Sequence, residues 1–78
     1  MATAAKAFIL IECTIGRSKE VIATLKPLKG VISVNTVTGP YDVIAVIEGE
    51  SLNEIGDIVT RQFQSVQGIT RTVTCLVV

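Results

Sequence analysis

The chain predicts an α+β fold, a ferredoxin-like βαββαβ sandwich with a four-stranded antiparallel sheet and two helices on one face, and three observations carry the prediction. Four strand-length runs rich in Val, Ile and Leu alternate with two segments of helical spacing, in the order strand, helix, strand, strand, helix, strand. The two halves echo each other, Lys29-Gly30-Val31 after the first helix and Gln67-Gly68-Ile69 after the second. A length of 78 residues fits a single domain, 1–78. Right-handed crossovers in both halves then give the spatial strand order four, one, three, two.

Lys6 to Cys13 is apolar and β-branched, and the polar turn Thr14-Ile15-Gly16-Arg17 ends this first strand. Val21, Ile22, Leu25 and Leu28 follow at helical spacing, with Ser18 placed to cap the first turn and Pro27 and Gly30 to end the helix. Val31 to Thr38 alternates at period two, Ile32 and Val34 on one face and Val31, Ser33, Asn35 and Val37 on the other, as in a partly polar edge strand. Val43 to Ile47 is apolar without interruption, the pattern of a central strand buried on both faces. Ser51-Leu52-Asn53-Glu54 matches a capping box at the start of the second helix. Its apolar stripe is Leu52, Ile55, Val59, Phe63 and Val66, and Gly68 closes it. Ile69 to Val78 is the fourth strand, with Thr70, Thr72 and Thr74 on one face.

Two helices cover only one face of such a sheet, yet Phe8-Ile9-Leu10-Ile11 and Val43 to Ile47 are apolar at both parities. The second face is therefore hydrophobic as well. Soluble monomers rarely expose apolar patches beyond roughly 300–600 Å², and each such side chain recovers about 1.5–3 kcal/mol when fully buried. A second copy packed sheet against sheet in a C2 dimer, a dimeric α+β barrel, satisfies this face.

Seven basic and seven acidic side chains cancel, so the chain lacks the positive field that direct nucleic-acid or acidic-lipid binding needs. Its apolar runs are far shorter than the roughly 20 residues of a membrane span, and its N-terminus carries no signal-peptide pattern, so a cytoplasmic location is expected. Cys13 and Cys75 form no CxxC pair and the chain has no histidine, which argues against a metal site, a cofactor or an activated thiol. Both are read as buried strand thiols, too far apart along antiparallel neighbours for a disulfide.

Val37-Thr38-Gly39-Pro40-Tyr41-Asp42 is where polar chemistry interrupts this packing-driven sequence. Gly39 reaches backbone angles closed to other residues, Pro40 fixes its own φ, and Asp42 accepts from nearby backbone N–H groups. Such a turn holds either a hairpin or a ligand.

The turn, followed by Val43-Ile44, resembles the Val-Thr-Gly-x-Tyr-Asp turn of the effector-binding (RAM) domain of the Lrp/AsnC, or feast/famine, transcriptional regulators. The resemblance continues through Gly30-Val31 and through Gly68-Ile69 with Thr70, Thr72 and Thr74, and it covers the chain from about Ala7. Those regulators carry an N-terminal helix-turn-helix domain, whereas only Met1 to Ala5 precede the first strand here. The resemblance thus implies a stand-alone regulatory domain that dimerises, assembles into an octamer or similar ring, and pairs with a DNA-binding relative. It further implies an amino-acid effector held between dimers by Gly39, Tyr41 and Asp42, with Thr72 and Thr74 of the last strand nearby. Asp42 suits the effector's ammonium, and the turn amides, the Tyr41 hydroxyl and the threonines suit its carboxylate. Pro40 sits at the family's variable position and withdraws one donor.

Two other functions compete. A small dimeric barrel of this topology can be a cofactor-free monooxygenase or isomerase, but here the acid/base groups reduce to Tyr41, Asp42 and carboxylates such as Glu12 and Glu48. In the other, assembly itself is the function and Asp42 only braces its turn.

Overall fold

The apolar runs form four strands, β1 (Ala5–Cys13), β2 (Val31–Thr36), β3 (Val43–Gly49) and β4 (Ile69–Leu76). Between them lie α1 (Ser18–Leu25) and α2 (Leu52–Asp57), the latter continuing as a π-helical stretch over Ile58–Phe63. The computed structural model describes residues 5–78, and the leading residues 1–4 of the expected 1–78 domain lie outside the described residues. The sheet order is β2-β3-β1-β4 with every neighbouring pair antiparallel, the ferredoxin-like arrangement that two right-handed crossovers demand.

One apolar layer lies between sheet and helices. Ala7, Ile9 and Ile11 of β1 and Val43, Ala45 and Ile47 of β3 are fully buried, and Val21, Leu25, Ile55 and Phe63 close over them. Alternation at period two sends these odd-numbered residues to the helices.

The helix starts differ from each other. At α2 the Ser51 hydroxyl accepts from the Glu54 N–H at 3.2 Å, as the capping box requires. Glu54 Oε1 accepts from the Glu50 N–H at 3.3 Å, one residue before its usual partner. At α1 the expected Ser18 cap is absent. Ser18 is the first helical residue and Arg17 the N-cap, with no side-chain cap bond, because a guanidinium has no acceptor to offer; the Arg17 N–H donates to the Thr14 carbonyl in the turn that leads into the helix. Each helix then leaves by the same route, Leu28 N–H to Leu25 and Val31 N–H to Leu28 in the first half, Val66 N–H to Phe63 and Ile69 N–H to Val66 in the second. Gly30 and Gly68 follow at φ +89° and +99°.

Three other expectations need correction. Ile32 and Val34 do not share a face: Val31 pairs with Ile47, but Ser33 pairs with Val46, so a β-bulge puts Val31 and Val34 toward the core and leaves Ile32 56% exposed. Leu52 stands outside the core at 62% exposure, while Ile58, off the expected stripe, is buried. Leu52 is the first residue of α2, whereas Ile55, Ile58, Val59 and Phe63 fall at i, i+3, i+4 and i+8 on one helical face; the π stretch follows, with Gln64 donating to the Val59 carbonyl five residues back. Cys75 is exposed rather than buried, because it lies on edge strand β4 opposite Phe8, on the face without helices; Cys13 is half-buried, and both thiols are free.

That second face carries two apolar rows. Leu10 pairs with Ile44 and Val73, and Phe8 pairs with Val46 and Cys75. Lys6 and Glu48 bound the rows at one end, Glu12 and Arg71 at the other. Among the described residues no helix is long and apolar enough to cross a membrane.

Candidate functional site

The loop from Val37 to Asp42 joins β2 to β3 and is pinned at its exit rather than its tip. The Val37 N–H donates to the Asp42 carbonyl at 3.0 Å and closes the neck, and the Asp42 N–H donates to Ile11 of β1 at 2.9 Å. The Asp42 carboxylate turns away from its own loop: Oδ2 accepts from the Cys13 N–H at 2.8 Å, a charge-assisted bond that seals the end of β1. Gly39 takes φ +118°, which only glycine adopts without strain, with open space around it. Thr38, Gly39, Pro40 and Asp42 are exposed and Tyr41 is half-buried, so the loop presents its polar groups outward on a fixed base.

Asp42 also acts on its anchor. Burial pushes the Cys13 thiol above its ordinary range and the Asp42 charge pushes it further, against a hydrogen bond with the Ser18 side chain.

Thr72 and Thr74 lie on β4, paired with Ile11 and Ile9. Thr72 therefore shares a cross-strand row with Ile11 and Val43, but β1 stands between β4 and the loop, a separation of about 10 Å at ordinary strand spacing. Within one chain the expected residues form two groups, Gly39, Tyr41 and Asp42 on the loop and Thr72 with Thr74 on the far edge. The end of β1 connects them. Cys13 N–H holds Asp42, the Glu12 carbonyl accepts from Thr70 Oγ1 at 3.1 Å, and Glu12 Oε2 lies 3.5 Å from Arg71 Nη1.

Thr72 opens onto a cleft of about 300 Å³ whose other walls are Gln64, Ile69, Thr70 and Arg71. Gln64 follows the π stretch directly, so the wide winding of that segment sets the position of this wall. Neither Gln64 nor Arg71 is among the residues expected from the sequence. Arg71 had a visible signal, a lone cation between alternating threonines, whereas Gln64 depends on a helical winding that periodicity does not reveal. A second cleft, of about 260 Å³, lies along the outer side of α2 between Lys29, Glu54, Asp57 and Arg61, with both charge signs in its walls.

Residues 6–78 match the family model of the Lrp/AsnC ligand binding domain. An uncharacterized HTH-type transcriptional regulator of Pyrococcus furiosus is 30% identical over 56 residues, which are 72% of this chain and 37% of that protein. The chain thus spans little more than a third of the length of this curated relative. Among solved structures, TTHA0845 from Thermus thermophilus is 34% identical with a TM-score of 0.91, over 95% of this chain and 92% of that one. A transcriptional regulator from Neisseria meningitidis, solved as a complex with L-Met, superimposes at a TM-score of 0.87 and 19% identity, over 97% of this chain and 51% of that one, and so shows the shared fold. With residues 6–78 matched by the family model, the chain belongs to the Lrp/AsnC family, within that family's ligand binding domain.

Proposed function

We propose that the protein is a non-catalytic, oligomeric regulatory module that binds an amino-acid effector where two sheet-to-sheet dimers meet, and acts on transcription or metabolism through a partner such as a DNA-binding relative. The observation that carries this reading is the loop Val37–Asp42: its base is locked to β1 by Asp42, while Gly39 and Asp42 remain exposed and Tyr41 half so. One Asp42 oxygen is engaged with Cys13, and the carboxylate keeps lone pairs for an ammonium. The two polar groups, loop and β4 threonines, are split by β1 within a chain. A site between copies joins the loop of one to the strand of another, which is the reason to place the effector at an interface. A relative solved with L-Met supports an amino acid as the effector class.

Calorimetry and thermal shift across the twenty amino acids, with light scattering in parallel, test the reading. At least one amino acid raises the melting temperature and changes the assembly size, and Asp42→Ala abolishes both responses while the dimer persists. If none of the twenty has an effect on an intact oligomer, the effector reading falls. A second reading has its own observation, the Asp42 bond to Cys13: the carboxylate is only a brace and assembly is the function. Asp42→Ala then lowers stability and leaves partner binding unchanged.

A further inference from the structure

The end of β1 is gripped from both sides. Toward β3, the Ile11 carbonyl accepts from the Asp42 N–H at 2.9 Å and the Cys13 N–H donates to Asp42 Oδ2 at 2.8 Å. Backbone pairing of β1 with β3 stops at Ile11 and Val43, so the carboxylate supplies one further rung. Toward β4, the Glu12 carbonyl accepts from Thr70 Oγ1 at 3.1 Å and the Thr14 N–H donates to the Gly68 carbonyl at 2.7 Å. The contacts alternate as ladder groups do, Ile11 and Cys13 to one side, Glu12 and Thr14 to the other.

The β4 side of this grip is irregular. Glu12 pairs with Arg71 but Cys13 pairs with Ile69, so Thr70 is an extra residue in β4, a β-bulge. In an unbroken register Thr70 would stand opposite Cys13 and Ile69 opposite Thr14, which turns Ile69 to the other side of the sheet. The bulge thus keeps Ile69 packed against the core, and the Thr70 hydroxyl on Glu12 holds the residue that has no ladder partner.

We propose that Asp42, the end of β1 and the Thr70 bulge form a relay through which the loop Val37–Asp42 and the start of β4 loosen and tighten together, although β1 lies between them. With Asp42 engaged, Glu12 to Thr14 stays extended and presents its groups to Thr70 and Gly68. When the carboxylate is drawn away, the Cys13 N–H loses its acceptor, the end of β1 frays, and the bulge loses its partners. The coupling is reciprocal, so a loosened bulge weakens the hold of Asp42 on Cys13. Thr72 and Thr74 follow the bulge along β4, so the state of the loop reaches the strand that the same chain offers to its neighbours. The relay goes beyond the effector reading above and rests on it only for what draws on Asp42 in use.

Amide hydrogen exchange of the ¹⁵N-labelled full chain tests the relay in both directions, each change taken in excess of that at Ala45 in the core so that a shift in global stability drops out. Asp42→Ala is expected to speed exchange of the Thr14 and Ile69 N–H groups, bonded to Gly68 and Val66, by about three- to tenfold, the worth of one hydrogen bond. Thr70→Val is expected to do the same to the Cys13 N–H, which Asp42 holds from the opposite side of β1. Asp42→Asn, which keeps an acceptor, falls between parent and Asp42→Ala, and Thr70→Ser, which keeps the hydroxyl, exchanges as the parent does. Acceleration at Cys13 alone in Asp42→Ala, or a Cys13 rate indifferent to Thr70→Val, overturns the relay and leaves Asp42 a local brace. The two readings fail separately. An amino acid that raises the melting temperature of a chain without this cross-strand coupling keeps the effector reading and sinks the relay. Coupling in both directions, with none of the twenty amino acids acting on the assembly, does the reverse.

Discussion

The carboxylate of Asp42 ties two segments 29 residues apart in sequence, and that single bond decides how the loop behaves. Cys13 ends β1, where its N–H would otherwise face solvent at the strand's margin; Asp42 takes it at 2.8 Å and so holds the loop exit to the sheet. Asp42→Ala is expected to lower stability by about 1 kcal/mol, the net worth of one such hydrogen bond at a partly exposed site. Asp42→Asn keeps a neutral acceptor and should lose about half as much. Urea unfolding of the two variants beside the parent checks the order, and an Asn variant as unstable as the Ala variant would show that the oxygen's geometry, rather than its presence, is what matters. The residue type at 42 was readable in advance as an acceptor for backbone N–H groups. Its partner was not, because the bond crosses from one half of the chain to the other and leaves no local pattern.

The glycines that end the two helices show how the elements lock together. A Cβ on Gly30 would stand 2.8 Å from Ile58 Cδ1 and 3.0 Å from the Glu48 carbonyl, and a Cβ on Gly68 would stand 3.1 Å from both Arg17 Cβ and Val21 Cγ2. Each half's glycine thus seats the other half's helix, and each sits at positive φ. Gly30→Ala and Gly68→Ala combine left-handed strain with crowding and are expected to cost about 2 kcal/mol or more. Gly39→Ala meets open space and carries the strain alone, about 1–2 kcal/mol. Gly56→Ala, inside α2 with open space and ordinary φ, should instead gain about 0.5–1 kcal/mol. Denaturant midpoints of the four variants give this ranking, and a destabilised Gly56→Ala would mean that the helix needs glycine there to enter its π turn. The echo between Lys29-Gly30-Val31 and Gln67-Gly68-Ile69 was legible because chain reversal after a helix demands glycine locally. The bulge at Ile32 and the π turn after Asp57 were not: both add a residue to a regular repeat to fit the neighbouring element, and periodicity assumes the repeat is kept.

At the scale of the whole molecule, the question is what covers Phe8, Leu10, Ile44, Val46, Val73 and Cys75. These six side chains form two complete rows across three strands, and Phe8 stands 40% exposed in the isolated chain. A sheet of this size has its helices spent on the other face, so the contiguous apolar surface requires a partner surface of similar chemistry, and a second copy offers one by symmetry. Cys75, at the end of the Phe8 row, reports on that cover without altering it. In a Cys13→Ala background, which keeps the backbone N–H that Asp42 accepts, Cys75 is the single thiol left. If the rows are buried against another copy, N-ethylmaleimide labels Cys75 slowly in the assembly and at the rate of a free thiol after denaturation. Phe8→Glu places a charge in the middle of the Val46–Phe8–Cys75 row. It is expected to shift light scattering to the monomer and to make Cys75 react at the free-thiol rate, because an unpaired charge within an apolar interface costs more than the interface returns. Lys6→Ala, at the rim of the same face, should change neither. Cys75 reacting freely in a parent chain that scatters as a monomer would remove the sheet-to-sheet dimer, and with it any site that needs a second dimer to complete it.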